Sequence, residues 1–568
     1  MKFNLKFHVR RAGVALPLAA ALVAGLGNST QAGTMPASGG VTFATSVTTL
    51  HHALPLFALH RTAAPQAFVA GAAAALKLRP LAMENTRLVS RDGQHVEHAY
   101  SDARTGEAQI FPDLSKSSGA AARSTVILGA ANALFARADI IPSDATQHRL
   151  GDATPVYAAS AAHGTAGQTE AVSAPQLLFT YVPAQRLAAG LPVYGRGSQA
   201  TVGIGNDGSV RAFVRRWQAA RQIGSVAPST TSQQLSQAIV AQLAPLEKLY
   251  AITVEGIAPA YYDGDANYLQ PVYAFDATLH PFGNAPSEHI RGYVPVGKLV
   301  EAIPTIGVSF RGSAPSAPHP GKTGNSFNST SISLGQYANR DGSMEDMANA
   351  YVNGFDSVSP YSYGPPIDRL QWYWAYSFEV EASANSYLNA MQVAYTQPHG
   401  DWWLNTTDGT GGDPWYVTSI GVSGNPGFGA ASGGQLATWI IDSCEVIPSY
   451  YDKTYGGGNG YNAFSPWWAV FQGLHRALGF RTEMLLGEDT MNYDIAQSMA
   501  EGAVADSAFY NGVAAVSFGT YADQHLGNMT VHYDRVSIME DTRNEAESIY
   551  SVQGQSKSGQ LHNTWMGN

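Results

Sequence analysis

The feature that most constrains this chain is that its 568 residues include a single cysteine, Cys444. A chain with one thiol cannot form an intramolecular disulfide, so packed apolar cores have to stabilise its fold. Cys444 follows the apolar run 436–441, which is typical of a buried strand closed by Asp442 and Ser443. The thiol is therefore either a small buried apolar group or a reactive group at a strand end.

A second apolar run, 391–396, is followed within three residues by the pair His399-Gly400. Strands that alternate with helices predict a mostly parallel sheet, and sites form at the carboxyl ends of such strands. An imidazole beside a thiol can accept its proton and later protonate the leaving amine. Backbone N–H groups of Gly400 and Cys444 could stabilise the oxyanion. The pattern therefore predicts His399 as base and acid and Cys444 as nucleophile.

A strand that ends in His-Gly, with an Asp-x-Cys strand end 45 residues later, resembles the caspase-like cysteine peptidases, the group of caspases, legumains, gingipains and separases. The resemblance implies an α/β fold with a mostly parallel caspase-like sheet flanked by helices in the C-terminal half. It assigns catalytic roles to His399, Gly400 and Cys444, and it implies no metal and no cofactor. Segments 469–480 and 499–510 resemble later elements of the family.

Three further residues are candidates for substrate binding. In the resembled enzymes, the residue two positions before the nucleophile often helps line the primary specificity pocket, and here it is Asp442. A carboxylate there would attract Lys or Arg, although Asp442 could equally cap the strand-to-loop turn. Trp402 and Trp403 could line a cleft for a peptide or glycan, but loop tryptophans commonly pack into a core instead. Glu445 beside the thiol disfavours the thiolate.

The segment 309–325 is rich in Pro, Gly and Ser and predicts a flexible linker between two halves, 33–308 and 326–568. The second half is the predicted caspase-like catalytic domain. Arg311 and Lys322 in the linker are candidate sites of self-cleavage, because nicking concentrates in flexible segments.

The first half predicts α+β modules, each a helix followed by an antiparallel sheet. Thr231 and Gln234 are spaced as a capping box, and Asn-Asp-Gly at 206–208 indicates a hairpin. Modules near 120–220 and 228–300 resemble the FTP and PepSY prosegment domains of secreted bacterial metallopeptidases. That resemblance implies a prosegment that acts as an intramolecular inhibitor or chaperone.

Residues 1–32 have a basic start, an apolar stretch and a small-residue exit, which is typical of a secretory signal peptide. We therefore expect a secreted or periplasmic protein with no membrane association after signal removal. The net charge of −10, without a cluster of basic residues, indicates no nucleic-acid partner.

Together these features predict a secreted cysteine endopeptidase made as a precursor. It would hydrolyse peptide or protein substrates through a His399–Cys444 dyad, after basic residues. The alternative is a non-catalytic exported binding protein that keeps a caspase-like fold and uses a surface rich in Trp and Tyr.

Overall fold

Both halves of the chain contribute strands to one large mixed sheet in the computed structural model. The segment Ala37–Asn568 forms one compact unit. The structure describes most of it: 40–116, 119–120, 122–164, 171–282, 286–306, 331–338, 342–358, 366–372, 377–406, 414–420, 425–455, 462–487, 489–516, 519–543, 546–550 and 559–568. The predicted signal peptide (1–32) and linker (309–325) lie outside these residues.

Among the described residues, the first half contains three α-helices and mainly antiparallel strands. The helices are α1 (Gln66–Ala75), α2 (Ser124–Phe135) and α3 (Ser232–Leu243). The strands are β1 (Val41–Phe43), β2 (Leu54–His60), β3 (Ala82–Glu84), β4 (Arg87–Arg91), β5 (Glu97–Asp102), β6 (Ala108–Ile110), β7 (Gln147–Leu150), β8 (Thr154–Ala162), β9 (Ala171–Val172), β10 (Gln176–Ala188), β11 (Leu191–Tyr194), β12 (Ser198–Gly205), β13 (Val210–Trp217), β14 (Ala219–Val226), β15 (Tyr250–Tyr262), β16 (Tyr268–Pro281) and β17 (Glu288–Pro295).

Local sequence signals explain these elements. Thr231 and Gln234 form the predicted capping box, with each side chain bonded to the other residue's backbone N–H at the start of α3. The turn at 206–208 joins β12 and β13 as an antiparallel hairpin, as predicted. After α3, strands β15, β16 and β17 pair antiparallel in chain order. The predicted succession of a helix and an antiparallel sheet is therefore present in this segment.

The second half contains further helices and a group of parallel strands. Its helices are α4 (Gly342–Asp356), α5 (Ser377–Val380), α6 (Tyr450–Tyr455), α7 (Trp467–Val470), α8 (Asp489–Ala500) and α9 (Ala505–Ala514). Its strands are β18 (Ile332–Ala338), β19 (Ile367–Trp372), β20 (Val393–Gln397), β21 (His399–Asp401), β22 (Leu404–Thr406), β23 (Pro414–Tyr416), β24 (Thr438–Ile441), β25 (Arg476–Phe480), β26 (Leu485–Leu486), β27 (Thr520–Asp523), β28 (Met529–His532), β29 (Val536–Asp541) and β30 (Gln560–Met566).

Neighbouring strands of this half run in the order β19, β18, β20, β24, β25, β29 and β30. The first five pair in parallel, whereas β29 and β30 pair antiparallel. Every residue of β20, β24 and β25 is buried, as expected for central parallel strands covered on both faces. The coarse prediction of a mixed α/β fold is thus confirmed.

The two halves are joined by sheet pairing and by a shared core. Strand β30 pairs antiparallel with β8 along all seven of its residues, and β26 pairs in parallel with β17. The largest apolar cluster contains Phe275 and Ile290 from the first half together with Met484 and Phe509 from the second. No helix within the described residues is long and apolar enough to cross a membrane.

Candidate active site

The parallel pair β20 and β24 places His399 and Cys444 at the same edge of the sheet. Thr396 lies opposite Ile441 in the register. His399 lies three positions after Thr396, and Cys444 lies three positions after Ile441. The Asp442 backbone N–H donates to the Thr396 carbonyl over 2.9 Å, which holds the two strand ends together. The structure therefore brings together the two strand ends that the sequence predicts.

Gly400 allows close contact between these strand ends. A Cβ at this position would collide with Ser443 Oγ and with the backbone of Cys444, so only glycine fits. Two neighbouring residues, Trp403 and Glu445, adopt left-handed backbone with φ of 58° and 53°. Non-glycine residues rarely take this conformation, and it concentrates at functional sites.

His399 is fully buried, and both of its ring nitrogens have partners from the first half of the chain. Nδ1 is hydrogen-bonded to Glu288 Oε1, and Nε2 lies 3.0 Å from the Tyr250 hydroxyl. A carboxylate accepts hydrogen bonds, so we assign the ring proton to Nδ1 in the pair with Glu288. Nε2 then accepts from Tyr250, which occupies the nitrogen that would otherwise act as a base.

Cys444 is also buried, with 3% of its surface exposed, and it belongs to the large apolar cluster. Its Sγ accepts a hydrogen bond from the Met484 backbone N–H over 3.3 Å. Burial raises the pKa of the thiol well above its usual value, and the carboxylates of Glu288 and Glu483 raise it further. The thiol is therefore neutral in this arrangement.

Asp442 lies beneath the site rather than on an open surface. Its Oδ2 accepts from the Tyr395 hydroxyl and, over 2.9 Å, from Asn492 Nδ2. Its Oδ1 has no hydrogen-bond partner among the described residues. Burial raises the pKa of Asp442 to about 7. Its predicted role in a pocket for basic residues stays a prediction.

The two tryptophans differ in position. Trp403 is buried in an apolar cluster, whereas Trp402 is half-buried and its ring stacks on His525 with 4.5 Å between the ring centroids. Lys453 Nζ lies 4.5 Å from the centre of the Trp402 ring and 4.8 Å from that of Trp403. Trp402 alone reaches the surface here, so the predicted cleft role can apply to that residue only.

A group that sequence reasoning missed, Asp401, Glu445 and His525, flanks the dyad. Its ligand-type atoms lie within 4.8 Å of one another, so these residues could hold a cation. His525 Nε2 is 2.5 Å from Asp401 Oδ1 and 3.3 Å from Glu445 Oε2. The hydrogen bond with Asp401 raises the pKa of His525 despite partial burial. These mutual bonds account for the cluster without a metal.

The most important residues that sequence reasoning missed are Tyr250 and Glu288. Glu288 lies 111 positions before His399, in the half that was expected to be a prosegment. No local motif links residues at such a distance. The sequence around Glu288 indicates the start of strand β17. It does not indicate which residue the Glu288 side chain contacts.

Comparisons with known proteins identify no family. No family model matches the sequence, and no curated protein matches it. Among solved structures, an uncharacterized protein from Eubacterium rectale ATCC 33656 shares 10% sequence identity, with 46% of this chain and 90% of that chain covered. The TM-score is 0.29, so this likeness carries no conclusion about the present chain.

Proposed function

We propose that this protein is a secreted cysteine endopeptidase, described here in a resting state. The observation that carries the proposal is the meeting of His399-Gly400 with Ser443-Cys444 at the ends of adjacent parallel strands. The only thiol in the sequence therefore follows a strand whose parallel neighbour leads to a histidine and a glycine, the residue types that peptide hydrolysis by a thiol requires.

The sheet supports a caspase-like arrangement of the second half. Its parallel strands run β19, β18, β20, β24 and β25, and helix α4 lies in the chain between β18 and β19. In this proposal the first half is an FTP/PepSY-like prosegment, supported by the succession of α3 and the antiparallel β15–β17. It would act as an intramolecular inhibitor or chaperone.

The proposed reaction begins with transfer of the Cys444 proton to His399 and attack of Sγ on the scissile carbonyl. Backbone N–H groups of Gly400 and Cys444 would stabilise the oxyanion. His399 then protonates the leaving amine as the C–N bond breaks, and water, deprotonated by His399, hydrolyses the thioester. The carboxylates around the site would favour peptides with Lys or Arg, and Asp442, once ionised and released from Tyr395 and Asn492, is the proposed pocket residue.

Self-processing of the precursor tests this function. We expect the wild-type protein to cleave its own linker after Arg311 or Lys322. Cys444→Ala and His399→Ala should reduce the rate by at least about 10³-fold, because dyad members act as a unit. His562→Ala removes another buried histidine and is the matched control. Amino-terminal sequencing of the products identifies the site, and identical cleavage in all four proteins would disprove the proposal.

The second candidate is a non-catalytic exported binding protein. Burial of Cys444 and its raised thiol pKa favour this candidate, because a structural cysteine has both properties. Alkylation separates the two functions. A structural Cys444 reacts with iodoacetamide only on unfolding, whereas a dyad thiol reacts in the folded protein once its imidazole is free to accept a proton, at a rate that depends on His399.

A further inference from the structure

We propose that Tyr250 and Glu288 form a lock on His399, and that the first half stays attached after linker cleavage, so that activation requires local release of these two side chains. The inference rests on the proposed function and specifies the regulation of the same site. In this inference the first half is not removed as a prosegment. It remains a permanent part of the fold and inhibits the site through a local contact.

The lock residues are held firmly by the first half. Tyr250 is the first residue of β15 and is fully buried opposite Pro281 in the register. Glu288 is the first residue of β17, is 2% exposed, and lies opposite Leu279. Because both side chains extend from paired strands, they contact His399 with little loss of conformational entropy on binding.

Strand β17 also contacts the segment that holds the sulfur. His289 lies opposite Leu485 in the parallel β17–β26 pair, and its Nε2 is 2.9 Å from Glu483 Oε2. The next residue, Met484, donates its backbone N–H to Cys444 Sγ. Adjacent residues of one strand, Glu288 and His289, therefore contact His399 and the residue that precedes Met484. Release of this strand would free the imidazole and the thiol together.

The remaining contacts between the halves are too extensive to depend on the linker. Strand β8 pairs with all seven residues of β30. The buried Asp494 carboxylate binds Arg196, with 2.6 Å between Arg196 Nε and Asp494 Oδ1, and also binds Arg216. Separation would expose the shared apolar core and unpair buried charges, both of which are unfavourable. Cleavage in 309–325 therefore leaves the halves together.

The lock suppresses the chemistry in two ways. The Tyr250 hydroxyl occupies Nε2, so this nitrogen cannot accept the thiol proton. The Glu288 carboxylate disfavours a thiolate at Cys444 through charge repulsion. Removing the hydroxyl and the charge without changing side-chain size should therefore activate the thiol.

The test measures native alkylation of Cys444 by iodoacetamide, which intact-mass spectrometry reports without ambiguity because no other cysteine is present. The lock variant carries Tyr250→Phe and Glu288→Gln. The control variant carries Tyr261→Phe, on the same strand, and Glu540→Gln, from another buried Glu–His pair. Each single variant is measured as well, and thermal melting verifies folding.

We expect the lock variant to react at least about 10-fold faster than wild type, equivalent to about one pKa unit. Adding His399→Ala should abolish the gain, because the imidazole is the base. The control should react like wild type. A lock variant that reacts no faster, an equal gain in the control, or a gain that survives His399→Ala would overturn the inference.

Cleavage of the linker provides a second test of the inference. After trypsin cuts at Arg311 or Lys322, we expect the halves to co-elute on gel filtration and Cys444 to stay slow to alkylate; separation, or activation by the cut alone, would overturn the inference. If the lock variant gains reactivity but cleaves no peptide, the peptidase proposal fails and the lock stands. If the wild-type precursor cleaves peptide as fast as the lock variant, the lock fails and the peptidase stands.

Discussion

Two regions of this molecule contain a buried glutamate hydrogen-bonded to Nδ1 of a buried histidine. In the first region Glu288 binds His399, and in the second Glu540 binds His562 with 3.2 Å between Oε1 and Nδ1. The chemistry of the two pairs is the same, but their origins differ. The position of each pair in the sheet distinguishes Glu540–His562, which stabilises the fold, from Glu288–His399, which we propose controls a site.

Sheet register fully explains the second pair. Glu540 on β29 lies directly opposite Arg476 on β25 and directly opposite His562 on β30. Directly opposed side chains of this kind contribute to the stability of a sheet. No register relates Glu288 to His399, because their strands β17 and β21 are not paired with each other.

The largest expected difference between the two regions is in the free energy of unfolding lost when each carboxylate is removed. Glu540→Ala leaves buried His562 without its carboxylate partner and removes a buried negative charge opposite Arg476, so we expect the free energy of unfolding to fall by about 3–5 kcal/mol. Glu288→Ala loses one hydrogen bond but relieves repulsion among acidic groups, so we expect a loss of no more than about 1 kcal/mol. Urea denaturation of both variants measures the difference. Equal losses would show that the pair with His399 is structural too.

The pH dependence of stability sharpens the comparison, because each region includes an aspartate with a raised pKa. Burial raises the pKa of Asp442 to about 7 and raises that of Asp506 well above its usual value. At Asp442 the folded state then holds a proton that the unfolded state loses near pH 4, so its contribution to stability is full below about pH 4 and falls as pH rises toward about 7.

For Asp442 the expected decrease in unfolding free energy is up to about 4 kcal/mol between pH about 4 and about 8. Asp442→Asn should flatten the stability profile by that amount, and Asp506→Asn should flatten it independently. Denaturation at several pH values measures both. An unchanged slope in Asp442→Asn would mean that this carboxyl is ionised in the folded protein, as a pocket for basic residues would require.

The sequence could predict the parts of this structure that local rules determine. The capping box at Thr231 specifies the start of α3, and buried apolar runs specify β20 and β24. Once both strands are parallel neighbours, the meeting of His399 and Cys444 follows from sheet geometry alone. These predictions required no knowledge of distant contacts.

Other features depend on tertiary packing that no local pattern encodes. The contacts of Tyr250 and Glu288 with His399 join segments that are 149 and 111 positions apart. Whether Asp442 points toward substrate or toward the core depends on its partners Tyr395 and Asn492, which only the assembled fold brings together. Burial of the sulfur likewise results from the first half covering the sheet edge.

The smallest expected change in stability is at the edge of the site, because a carboxylate–imidazole pair there is open to solvent. His525 bonds to Asp401 over 2.5 Å, and both side chains are about one-third exposed, at 35% and 36%. This bond raises the pKa of His525, so its stabilisation is complete below about pH 6.5 and is lost as pH rises through the folded-state pKa. Solvent screening limits its size.

We therefore expect His525→Gln to lower the free energy of unfolding by less than about 1 kcal/mol at acidic pH and not at all at alkaline pH. Asp401→Asn should produce the same small change, since it removes the other member of the pair. Denaturation profiles of both variants across this pH range measure it. A loss as large as that of Glu540→Ala would show that exposure does not determine the strength of these pairs, and the distinction between the buried regions and the edge would fail.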